Sequence, residues 1–176
     1  MRALLICLIC FPGLSLAAGG DDRGAPKPTP TTTTCNGVKV WDEKKKRCVR
    51  PKQSSLETEG LYGAVRELAY AGRYSDAQGV LLAMADQTDD RVLTYWGFTH
   101  RKLGNIELAN AFYQQAIAQN PNNFLARSYM GQGFVDDGQY AQALAQWKEI
   151  RARGGTGAWP EVSLRRALET GQSFSY

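Results

Sequence analysis

The residues of this chain that could do chemistry are few and scattered. His100 is the one histidine. With no second imidazole a His-based zinc set is missing, and any serine nucleophile has only His100 as a base partner. His100 lies within a helical pattern of apolar residues and reads as a packed or half-buried core histidine, not a general base. Asp136 and Asp137 are adjacent. Neighbours on a helix point in different directions, so this pair reads as solvation of a helix end and not as paired carboxylates. Gly154-Gly155-Thr156-Gly157 is Gly-rich, but no Lys follows it and no strand pattern precedes it. It lacks the parts of a phosphate loop and reads as a flexible break. The expectation is a protein that is not an enzyme and carries no cofactor and no metal.

Four cysteines remain to be placed. Cys7 and Cys10 fall in residues 1–18, which read as an export signal: Arg2, an apolar run from Leu4 to Leu16 broken at Pro12-Gly13, then Ser15-Leu16-Ala17-Ala18 for cleavage. A bacterial lipid-attachment site wants a small residue before its cysteine, and Ile6 and Ile9 stand there instead. Cleavage would leave Cys35 and Cys48 in a periplasmic or secreted protein. An even count in an oxidising compartment favours a disulfide between them, worth roughly 3 kcal/mol by loop closure. Neither zinc binding nor a C-x-x-C redox pair fits the spacing as well.

The net charge of +4 is unevenly spread. From Cys35 to Lys52 seven cations (Lys39, Lys44, Lys45, Lys46, Arg47, Arg50, Lys52) meet two anions (Asp42, Glu43), whereas from Gln53 onward eleven cations meet thirteen anions. The basicity therefore belongs to the cysteine loop. Beside Trp41, the Lys44–Lys52 patch suits an anionic envelope polymer or lipid headgroup, or is simply a solubilising turn. Nucleic acid is not an expected partner of an exported chain. No long apolar run follows the first 16 residues, so any membrane contact should be peripheral.

The elements that must position these residues follow from the patterning. Residues 19–34 read as a Pro- and Thr-rich tether, extended and disordered. Residues 35–52 read as a basic loop in which Val38, Val40 and Trp41 pair with Val49 as a disulfide-pinned hairpin. With almost no core of its own, it should owe most of its order to the staple. From Leu61 onward apolar residues keep helical spacing, with stops near Gly72, Gly104, Asn120-Pro121-Asn122, Gly138 and Gly171. Within this part Gly97, Gly104, Ala109 and Tyr113 recur as Gly131, Gly138, Ala143 and Trp147, each 34 residues on. That period indicates a helix-turn-helix solenoid.

At these residues the chain resembles the tetratricopeptide repeat family. One unit carries Trp96-Gly97, Gly104, Ile106, Ala109, Tyr113, Ala116 and Pro121. The next carries Met130-Gly131, Gly138, Tyr140, Ala143, Trp147 and Ile150, the last in place of a small residue and with no closing Pro. An earlier unit is more divergent, matching at Gly72, Tyr74 and Ala77. The resemblance implies an all-α, right-handed superhelical solenoid of about three repeats (57–89, 90–123 and 124–153), closed by a capping helix over 158–171 that Pro160 starts. It also implies a concave groove for a protein or peptide partner. Carried over by position, the groove residues are Tyr62, Arg66 and Tyr70; Thr94, Phe98, Arg101 and Lys102; and Ser128, Gln132 and Val135. The first nine of these to Gln132 form the candidate site, with Arg101-Lys102 as a cationic spot for a carboxylate; the competing reading is a solvated groove with stray charges. A short stack also leaves apolar edges, so self-association is a further expectation.

Overall fold

The computed structural model describes residues 26–173. The expected export signal at 1–18 lies outside the described residues. Helices dominate: α1 (Pro30–Thr33), α2 (Thr58–Tyr70), α3 (Tyr74–Leu81), α4 (Asp90–Lys102), α5 (Ile106–Gln119), α6 (Phe124–Asp136), α7 (Tyr140–Ala152) and α8 (Trp159–Thr170). Between α1 and α2 lies an antiparallel hairpin of β1 (Val40–Asp42) and β2 (Arg47–Val49), followed by a 3₁₀ turn at Pro51–Gln53.

Helices α2/α3, α4/α5 and α6/α7 form three antiparallel pairs stacked in chain order, and α8 packs on α6 and α7. The tight approach within the middle pair depends on Gly97. A Cβ there would stand 2.6 Å from the Tyr113 ring, so only glycine admits that fully buried tyrosine. The core runs on from Val65 and Leu68 through Tyr95, Val92 and Tyr113 to Leu125 and Met130.

Caps set the boundaries. The Asp89 carboxylate accepts from Arg91 N at 2.8 Å, and the Asn123 side chain accepts from Ala126 N at 2.8 Å. After α7, Gly154 takes φ +87° and Gly155 N donates to Ile150 O at 2.9 Å. The flexible break expected at 154–157 is thus a tight cap. Gly155 is buried, and a Cβ on it would come within 2.6 Å of Ile150 Cγ2. The bulk of Ile150, where a small residue was expected, is accommodated by the side chain that Gly155 lacks.

Two expectations for the N-terminal part need correction. The last third of the tether is not structureless. Thr29 caps α1, and Glu67 on α2 accepts from Thr29 N at 2.6 Å, Thr29 Oγ1 at 2.7 Å, Thr32 N at 3.2 Å and the Thr32 hydroxyl. Thr31 Oγ1 in turn accepts from Trp41 N at 3.1 Å. The hydroxyls that signalled a polar linker are the groups that dock it.

The cysteine loop does carry the Cys35–Cys48 disulfide. It does not rely on it alone. Val40 and Val49 are buried in the helical core. Arg73 Nη1 donates to Cys35 O at 2.9 Å and to Thr31 O at 3.3 Å, and its Nη2 donates to Gly37 O at 2.9 Å. Val38 seats on Gly79, where a Cβ would stand 2.4 Å from Val38 Cγ1.

Candidate functional site

The groove positions lie on the first helices of the three pairs, α2, α4 and α6, and the structure brings most of them together as an interior. Phe98, 3% exposed, stands at the centre of an aromatic cluster. Its ring centroid is 4.7 Å from that of Tyr129, 6.0 Å from those of Tyr70 and Tyr95, and 6.2 Å from that of Tyr74. Tyr62 is also buried, edge-on to Tyr95 at 5.6 Å and covered by the Arg91 guanidinium at 4.7 Å. The hydroxyls of Tyr70 and Tyr129 hydrogen-bond to each other.

Thr94 does not face a groove. Its hydroxyl accepts from Asn123 Nδ2 at 2.9 Å, and the same amide reaches Asp90 Oδ2 at 2.8 Å. Asn120 Nδ2 joins at 2.9 Å, so this network fastens the α5–α6 connection to α4.

Ser128 and Gln132 are closed off by α8. Ser128 Oγ is 3.0 Å from Ser163 Oγ, and Gln132 Nε2 donates to Ser128 Oγ at 3.3 Å and to Ser163 Oγ at 3.4 Å. Both are fully enclosed, and Val135 is buried as well. The capping helix takes the place in which a peptide was expected.

Arg101 and Lys102 part company. The Arg101 side chain is 7% exposed, with Nη1 donating to Asp136 Oδ2 at 3.3 Å. Among the described residues its Nε and the Tyr113 hydroxyl, both enclosed, find no partner at good hydrogen-bond geometry. Burial pushes the Tyr113 phenol up. Lys102 is only half-buried, with Nζ 5.8 Å from the Phe98 ring centroid. Burial first, and then the Arg101 charge, pull its ammonium below the usual lysine range. Of the nine candidate residues, Arg66, Tyr70 and Lys102 keep partial exposure, while the other six are buried.

His100, half-buried, packs beside both Trp96 at 5.7 Å and Phe112 at 5.5 Å, and those two rings also meet each other at 5.8 Å. Burial lowers its basicity. Among the described residues no carboxylate or hydroxyl is hydrogen-bonded to it, and Asn105 Nδ2 lies 3.5 Å from its Nδ1. Among the described residues no group of three His, Cys, Asp or Glu could hold a metal, and no helix is long and apolar enough to cross a membrane.

Sequence reasoning missed Arg73, Glu67 and Asp42, which organise the N-terminal part. Asp42 is fully enclosed and accepts from Ser55 N at 2.7 Å, Ser55 Oγ at 2.8 Å and Lys45 N at 2.9 Å. Burial pushes its carboxyl up, but those donors and the Lys45 charge outweigh it and hold it at about 2. The turn acid of a basic hairpin was a readable signal for it; Arg73 and Glu67 carried none.

Comparison with known proteins supports this architecture. The profile of the tetratricopeptide repeat family matches residues 90–123, the α4/α5 unit. The chain is 33% identical over 103 residues to cellulose synthase 1 operon protein C of Komagataeibacter xylinus, covering 55% of this chain. It spans 7% of that relative's length. No solved structure matches. With stacked helix pairs, glycine-to-tyrosine packing at Gly97 and a profile match on that same unit, residues 90–123 are a tetratricopeptide repeat.

Proposed function

We propose that the protein is a non-enzymatic scaffold of the bacterial cell envelope that holds a protein partner against the face shared by α2, α4 and α6. The observation that carries this reading is the half-exposed strip of Arg66, Tyr70 and Lys102 in front of the buried aromatic wall of Tyr62, Tyr95, Phe98 and Tyr129. Cations beside the partly exposed Tyr70 ring suit an acidic or carboxylate-bearing segment, and the packed wall behind them holds the strip rigid, which lowers the ordering cost of binding. The Cys35–Cys48 disulfide supports an oxidising compartment. The relative's name, which ties that protein to a cellulose synthase operon, supports an envelope setting. A pull-down from envelope extract should lose its partner in Arg66→Glu/Lys102→Glu. Identical partner sets for wild type and variant would count against the face. Arg101 is unsuited to this test because it is buried.

A second reading, attachment to an anionic polymer or lipid headgroup, rests on the loop cations. Among the described residues Lys39, Lys44, Arg47, Arg50 and Lys52 form no ion pair, while Lys45 and Lys46 turn back to Asp42 and Glu43. Salt-sensitive sedimentation with cell wall that survives Lys39→Glu/Lys44→Glu/Arg47→Glu would end this reading.

A further inference from the structure

The contact between the cysteine loop and α3 leaves a cavity of 380 Å³ that neither reading above uses. Its floor is apolar: Val38, Pro51, Gly79, Leu82 and Ala83. Leu82 is 65% exposed and Val38 38% exposed, although each belongs to a packed segment. The floor is built by close packing, since Gly79 is what admits Val38 against the helix. On the rim stand Arg50 and Lys52, both exposed and neither in an ion pair among the described residues. Among the described residues no carboxylate lines the cavity. The loop's acids are engaged elsewhere, Asp42 inward on Ser55 and Lys45, Glu43 on Trp41 Nε1 at 2.8 Å and Lys46 Nζ at 2.8 Å. The Lys45 ammonium donates to Gln53 O, which fixes the rim segment.

We propose that this notch docks an acidic peptide segment through one bulky apolar side chain, with Arg50 and Lys52 receiving its carboxylates. A volume at the small end of ligand sites takes a side chain or two, not a large ligand. A bilayer surface calls for a broad apolar face, and in the loop and α3 the exposed large hydrophobics are Val38 and Leu82 alone among the described residues. A charged polysaccharide would leave the apolar floor unused. A leucine or phenylalanine flanked by aspartates uses both the floor and the rim, and buried apolar contact ringed by charge is how short segments gain affinity and register. The site does not depend on the face of α2, α4 and α6, since none of Arg66, Tyr70 and Lys102 lines it.

The test is fluorescence anisotropy on the full chain with a fluorescein-labelled peptide, Asp-Asp-Leu-Phe-Asp-Asp. Binding is expected with a Kd below about 1 mM. Leu82→Ser and, separately, Arg50→Glu/Lys52→Glu should each weaken it roughly tenfold or more, about 1.4 kcal/mol per tenfold. Replacing the peptide's Leu-Phe with Ser-Ser should do the same, and Arg66→Glu/Lys102→Glu should leave affinity unchanged. The substituted residues in the notch are solvent-exposed, so the variants should keep their fold, which circular dichroism checks. Absence of binding to the wild type overturns the proposal. So does charge reversal abolishing binding while Leu82→Ser leaves it intact, which marks a diffuse cationic patch. Equal binding of phosphatidylglycerol vesicles to wild type and Leu82→Ser, with displacement of the peptide, overturns it in favour of a lipid surface.

Discussion

The Arg101 guanidinium is a buried charge with incomplete compensation. Among the described residues it forms one ion pair, to a partly exposed Asp136, its Nε finds no partner at good geometry, and its Cδ lies where Gly133 leaves room. Such a group is costly to bury, and replacing it by an apolar side chain of similar length is often neutral or better. Arg101→Met should therefore stay within about 1 kcal/mol of wild type in urea unfolding, whereas Arg101→Glu should lose about 3 kcal/mol or more. Equal losses in the two variants would show that the charge itself stabilises the fold. Asp42 is the opposite case, an enclosed carboxylate fully served by donors. Its folded pKa of about 2 lies below the ordinary aspartate value of 3.8. Its contribution is present above the unfolded pKa and is lost as pH falls through the folded one. Hairpin stability, followed by Trp41 fluorescence, should decline between about pH 4 and pH 2, and Asp42→Asn should remove that step. The identity of these side chains was readable, but their surroundings were not. Arg101 sits at a position that lines the groove in the family, and burial there depends on how closely α4 and α6 approach.

At the scale of elements, the N-terminal part behaves as an addition built onto α2 and α3. Its order rests on two long-range anchors, Glu67 and Arg73, which bind residues more than 30 positions away in the chain. Thr29–Thr34 has no apolar anchor that hydropathy could reveal, so its helical turn is specified by a carboxylate on another helix. Glu67→Ala should leave the Thr29 and Thr32 donors unserved, at about 1–3 kcal/mol. Amide exchange across residues 29–35 should then rise well above that of α4 and α5. Unchanged protection there would mean that the hairpin and disulfide hold the turn without Glu67. Helices α4 to α7 were far more legible. Their apolar spacing, glycine stops and Asn and Asp caps are local signals, and each acts within a turn or two of where it stands in the sequence.

Across the whole molecule, stability is a matter of stacking, and α8 closes the stack. Leu164 and Ala167 are fully buried, Leu164 against Gly131, and Trp147 Nε1 donates to Glu161 Oε1 at 2.7 Å. A chain ending at Gly157 would expose the α6 face with Ser128, Gln132 and Gly131. Such a face should self-associate or unfold, which light scattering with size-exclusion chromatography would detect. A truncated chain that stayed monomeric and folded would show that the third pair is self-sufficient. The 34-residue recurrence, the helix stops and the pair Cys35 and Cys48 by themselves pointed to an all-α repeat stack with a stapled basic loop. These follow from periodicity and short-range chemistry, which the order of residues encodes directly. Only the tertiary structure decided that six of the nine groove positions are buried, that α8 covers Ser128 and Gln132, and that the loop and α3 form an apolar notch rimmed by Arg50 and Lys52. Each of those outcomes depends on the distance between segments remote in the chain, and in a close-packed interior a missing Cβ, as at Gly79, Gly97 or Gly155, sets that distance.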